Sequence, residues 1–155
     1  MDEFTWLIII FIVLNVLDGV TTILSLHVLP DNLKAKESNP MFKGIEKSPT
    51  KGLVRKFILV VISLFILFYV HNKTNVGGIV VPFRALDIVL LLVVINNFVI
   101  FLSRQITKVK RTTPMAFVGR LIQRTGLKEK VADFVAYYLV LGALAVASYF
   151  VAGLW

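Results

Sequence analysis

The stretch FTWLIIIFIVLNVLDGVTTILSLHV, residues 4–28, is hydrocarbon apart from a few hydroxyls, one asparagine, one histidine and Asp18. No lysine or arginine lies within ten residues of Asp18 on either side. A helix needs about 20 apolar residues to cross the hydrocarbon core of a bilayer, and this run is long enough. Its start, MDEF, is acidic rather than basic and no small-x-small cleavage pattern follows, so it reads as a retained span rather than a signal peptide.

Three further runs of similar character follow, at about residues 52–70, 85–103 and 131–155. Hydrophobic residues make up 57% of the 155, and the mean hydropathy is +0.84. A soluble domain, with roughly half its residues apolar, keeps enough polar residues for a wet surface. This chain does not. The expected fold is an all-α membrane protein, a single domain over residues 1–155 with four transmembrane helices. Because the sequence contains no cysteine, disulfides, thiolate metal sites, iron–sulfur clusters and cysteine nucleophiles are excluded.

The net charge of +8 would suggest nucleic acid in a soluble chain, but its distribution points to topology instead. Of the 17 lysines and arginines, all but Lys73 and Arg84 fall in the first and third connections or at the entry to the second span. The positive-inside rule then makes those two loops cytoplasmic and puts both termini outside, in a multi-pass protein of the plasma membrane.

Local chemistry marks the helix ends. Ser48 and Pro49 suit the N-cap and first position of the second span, and Arg84 with Asp87 can pair across one turn of the third. The segment TTPMAFVGRLIQRTG predicts an amphipathic interfacial helix at about 114–125, with Met115, Val118 and Ile122 on one face. Arg120 and Arg124 then meet anionic lipid headgroups; a solvated basic connector is the alternative. In the fourth span, Gly142 with Ala145 and Ala143 with Ala147 are small-residue pairs that permit close helix contact, within the chain or between copies.

The polar residues inside the spans are the candidate site. A carboxylate there costs at least ~2.5–3.5 kcal/mol and needs an offset. Asn15, Asp18, Thr22 and Ser25 fall within an arc of roughly 80° on a helix, one stripe expected to face the other helices. Asp18 lies ~21 Å down the first span, and Asn96 and Asn97 lie ~18 Å down the third, counted from the same side. A carboxylate, amides and hydroxyls at one depth can hold a hard cation, a proton or a polar headgroup. They can equally be interhelical hydrogen bonds that fix packing.

Just beyond the first span comes ESNPMF, residues 37–42. A helix with Asn-x-x-Asp-x-x-x-Thr followed by Glu-x-Asn-Pro resembles an uncharacterised family of small prokaryotic four-helix membrane proteins, carried here by Asn15, Asp18, Thr22, Glu37, Asn39 and Pro40. The likeness covers the first third of the chain. It implies that Asp18 and Glu37 act together, and it implies no reaction.

Three classes of function follow. The favoured one is a non-enzymatic structural or accessory subunit whose basic cytoplasmic face binds lipid or a partner, alone or in a homo-oligomer or larger complex. The second is an oligomeric cation- or proton-coupled transport component using Asp18. The third is a metal-assisted lipid hydrolase or transferase in which Asp18 and Glu37 are the metal ligands. Walker-type and dinucleotide glycine patterns are absent, His27 and His71 end different spans, and no cofactor is indicated.

Overall fold

The computed structural model describes residues 2–33, 48–73, 77–108 and 114–154, without the side chains at 77, 78 and 114–116. Every regular element among them is helical: α1 Glu3–Ile23, α2 Pro49–Lys73, α3 Gly77–Thr107, α4 Pro114–Gln123 and α5 Glu129–Ala152. Four of these, α4 excepted, are long and apolar enough to cross a membrane.

The helix starts follow capping chemistry. Asp2 accepts the backbone N–H of Thr5 at 3.0 Å and also its hydroxyl, and these bonds hold the Asp2 carboxyl below the ordinary aspartate range. Pro49 opens α2 and Pro114 opens α4, where a missing N–H costs nothing. Gly126, with φ of +91°, turns the chain after α4 in a conformation that glycine adopts without strain. α3 begins at Gly77, earlier than the hydrophobic run suggests, with Pro82 one turn inside it. α1 runs on into a π-helical turn, Leu24–Val28.

Ring and charge contacts bring one set of helix ends together. Phe4 at the start of α1 stacks on His71 at the end of α2, with ring centroids 3.7 Å apart. Arg84 near the start of α3 reaches Glu3 of α1, and Ala152 at the end of α5 shares a cavity with Leu7 and Arg84. The start of α1 and the ends of α2 and α5 therefore lie together, called here the terminal end; Lys51, Arg55, Lys56 and Arg104 lie toward the opposite end.

α3 is the central element, packed along α1 on one side and α5 on the other, while α4 lies on α5. The core at the terminal end is aromatic. Phe83, 1% exposed, meets Phe4 and Phe11 edge-on at 5.7 and 5.8 Å, and Leu7 and Ile79 complete the cluster. α2 joins through Val60, Leu64, Leu67 and Val70. Gly52 is its only buried residue, and Phe57, Phe65 and Tyr69 are open, as suits a helix solvated by lipid.

α5 uses small residues, though not the pairs expected. Gly142, Ala143, Ala145 and Ala147 are exposed. The buried small residues are instead Ser148 and Ala152 near the end of α5 and, at its start, the one-turn pair of Ala132 and Ala136. Gly119 of α4 settles against it, where a Cβ would stand 3.8 Å from that of Ala136 and 3.0 Å from Asp133 Oδ1. α4 thus turns Val118, Gly119 and Ile122 inward onto a helix, and leaves Phe117, Arg120, Leu121 and Arg124 exposed.

Candidate functional site

The buried seam of α1 explains where Asp18 sits. Phe4, Leu7, Phe11, Leu14, Thr21, Ser25 and the half-buried Asp18 repeat at alternating steps of three and four, the period with which one helix keeps facing another. The first half of the seam is apolar and closes the aromatic core. The second half, from Asp18 onward, is polar. At this level α1 and α2 come close: Gly19 is buried, and a Cβ there would lie 3.4 Å from Leu53.

That approach delivers Lys56 of α2 to Asp18. Its Nζ donates to Oδ2 in an ion pair whose side chains are 15% and 19% exposed. Asn97 of α3 donates its Nδ2 to the other oxygen, Oδ1, at 2.9 Å. Ser25 Oγ, in the π-helical turn, lies 3.5 Å from the Asn97 carbonyl. Three helices meet on one carboxylate. Both oxygens are occupied, one by a cation and one by an amide, which offsets the cost of holding a charge away from water.

The expected polar stripe is therefore drawn together only in part. Asp18, Ser25 and Asn97 form the cluster. Asn15 turns back on its own helix and donates to the Phe11 carbonyl at 2.8 Å. Thr21 rather than Thr22 is the buried hydroxyl, donating to the Leu17 and Asp18 carbonyls at 2.9 and 3.2 Å. Thr22 and Asn96 are half-buried beside the cluster. Glu37, Asn39 and Pro40 lie outside the described residues, so their place relative to Asp18 is not part of this geometry. Arg120 and Arg124 are exposed on α4. Among the described residues, no three His, Asp or Glu side chains converge as a metal site would require.

Lys56 is the residue that sequence reasoning missed, having been counted only as a topology charge at the entry to the second span. The sequence shows only that it is the deepest cation at the start of that helix, one turn beyond Gly52, and not which residue it meets. Asp87 was also misread. Arg84 does not pair with it; the guanidinium goes to Glu3, with Nε 2.7 Å from Oε1. Asp87 is left buried, 6% exposed. Arg104, likewise counted as a loop charge, is buried in the last turn of α3.

No protein-family profile, curated protein or solved structure matches this chain.

Proposed function

We propose that the protein is a small multi-pass integral membrane protein with a non-enzymatic structural or accessory role. On this reading the cluster around Asp18 holds helices in register. The basic end faces the cytoplasm, both termini face out, and Arg120 and Arg124 engage anionic headgroups or a partner subunit of the plasma membrane.

The observation that carries the reading is the occupancy of Asp18. A cation carrier needs a carboxylate free to exchange its ion, and a hydrolase needs one free to bind metal or move a proton. Here Lys56 already fills the cation's place and Asn97 takes the remaining oxygen. Such a group works as an interhelical tie.

Thermal unfolding in detergent tests this, with wild type and Asp18→Asn compared in Na⁺, Mg²⁺, Ca²⁺, Mn²⁺ and Zn²⁺. A ligand that binds only the folded state raises the midpoint once its concentration passes its dissociation constant. The expected result is no selective response in wild type and a lower midpoint in the variant under every ion. An ion that stabilises wild type alone, with the response abolished by Asp18→Asn, would replace this reading with transport or metal-assisted chemistry.

A further inference from the structure

Beside the aromatic core at the terminal end lies a groove of about 360 Å³, walled by Leu7, Ile10 and Leu14 of α1, by Ile88 and Leu91 of α3, and by Ala152 of α5. Arg84 and Asp87 border it, yet its lining is almost wholly hydrocarbon: Glu3 holds the Arg84 guanidinium, and both Asp87 oxygens are buried. Ile10 and Leu91 are exposed, so the groove opens at the surface.

Resting on the membrane reading above, we propose that this groove holds one acyl chain of a zwitterionic phospholipid from the leaflet at the terminal end, with its headgroup at the Glu3–Arg84 pair. Close packing requires an occupant, because a bare gap forfeits the contacts of every atom lining it. Water does not serve, since it needs two to four polar partners. Size narrows the choice. Leu7 to Leu14 covers ~10 Å along α1, as Arg84 to Leu91 does along α3, so the volume corresponds to a mean cross-section of about 35 Å². A helix from a second copy or another protein is about 10–12 Å across, roughly 80–110 Å², and does not fit. A single side-chain knob fills only part of the length. A slim chain lying along the helices fills it. Charge narrows the headgroup. Glu3 stands one turn before Leu7, and its pair with Arg84 is partly exposed. Apart from buried Asp87, the described charges at the terminal end balance, Asp2 and Glu3 against Lys73 and Arg84. A phosphate and an ammonium a few atoms apart complement such a pair, whereas an anionic headgroup meets an uncompensated carboxylate.

Titrating didodecanoyl phosphatidylcholine onto protein in a steroid-based detergent that carries no alkyl chain, with native mass spectrometry counting lipids retained per chain, tests the site. Extraction is read first: release from membranes by alkaline carbonate alone would sink the membrane reading itself, whereas protein that needs detergent yet retains no lipid sinks only the groove. Saturable retention of one lipid per chain is expected. Leu91→Trp and Ile10→Trp fill the groove from α3 and α1 at exposed positions that tolerate a larger ring, and each should weaken retention about tenfold or more; Ile58→Trp on the open face of α2 should not. Either groove variant decides the matter if the other does not fold. Phosphatidylglycerol with the same chains should bind several-fold more weakly, and Glu3→Gln combined with Arg84→Gln should level the two lipids. Equal retention in all three tryptophan variants, phosphatidylglycerol binding as tightly as phosphatidylcholine in the wild type, or displacement of the lipid by equimolar dodecanoic acid overturns the proposal.

Discussion

The Lys56 ammonium closes on the Asp18 carboxylate from a helix that otherwise buries only a glycine. α2 rests on its neighbours mainly through side chains, so this pair is a principal fixed point of its register. Removing one partner leaves the other charge unbalanced, at a cost of about 3–5 kcal/mol for a fully buried pair and less for one partly exposed. Asp18→Asn and Lys56→Met should each lower stability by about 3 kcal/mol, and the double variant should recover most of that loss. Unfolding in detergent over the four-member cycle measures the coupling. Additive losses would mean that the two residues act independently.

Adjacent asparagines on α3 should behave differently. Asn97 donates to Asp18 and stands next to Ser25, whereas Asn96 is half-buried at the side. Hydrogen bonds between membrane helices average about 0.6 kcal/mol, and a charged acceptor strengthens them. Asn97→Leu is expected to cost about 1–2 kcal/mol and Asn96→Leu less than about 0.5 kcal/mol on the same scale. Equal losses in unfolding measurements would remove Asn97 from the cluster.

How much of this could be read in advance follows from what periodicity encodes. Four helices long and apolar enough to cross a membrane were legible because length and apolarity alone mark them. The depth match between Asp18 and the asparagines of α3 was legible from the rise per residue. The seam was missed by one position in two places. A polar stripe drawn through Asn15 and Thr22 took polarity as the mark of the inward face, whereas the buried positions are Leu14 and Thr21. Asn15 and Thr21 can satisfy themselves on their own helix, as Asn15 does on Phe11 and Thr21 on Leu17, so their polarity says nothing about which face is buried. Only the three-four continuation from Phe4 gives that face. The partners of Asp18 and Arg84 were illegible for another reason. Lys56 lies 38 residues from Asp18 and Glu3 lies 81 from Arg84, and such pairings arise from helix arrangement, not local spacing.

The aromatic cluster should dominate stability at the terminal end. Phe83 is almost fully enclosed and contacts two other phenylalanines edge-on. Truncating a large buried side chain loses its packing and leaves a cavity, about 3–5 kcal/mol for Phe→Ala. Phe83→Ala should lower stability by that amount in detergent unfolding, while Phe65→Ala on the open face of α2 should be close to neutral.

Gly119 permits α4 to lie close on α5: a Cβ there would already touch Ala136 and press on the Asp133 carboxylate. A leucine there must push against Asp133 and Ala136, so Gly119→Leu should lift α4 while the membrane-spanning helices remain folded. Limited trypsin digestion reads this directly, because Arg120 and Arg124 sit on the displaced helix. Cleavage there should quicken about tenfold or more, since a displacement costing 1.4 kcal/mol changes the open population by that factor. An unchanged digestion pattern would show that the contact does not hold α4 down.

Glu3 governs whether Arg84 is available to Asp87. The three form a short chain of choices: Arg84 and Asp87 stand one turn apart on α3, a spacing at which opposite charges interact, yet the guanidinium has gone to Glu3 across the helix boundary. With side chains 28% and 51% exposed, the Glu3–Arg84 pair is worth at most about 1 kcal/mol, so Glu3→Gln should barely move the unfolding midpoint. Its effect belongs at Asp87, because a released Arg84 can turn toward the carboxylate three residues on. Asp87→Asn should therefore cost more in the Glu3→Gln background than in the wild type, read by unfolding in detergent over the four-member cycle. Additive effects would mean that Arg84 never turns to Asp87.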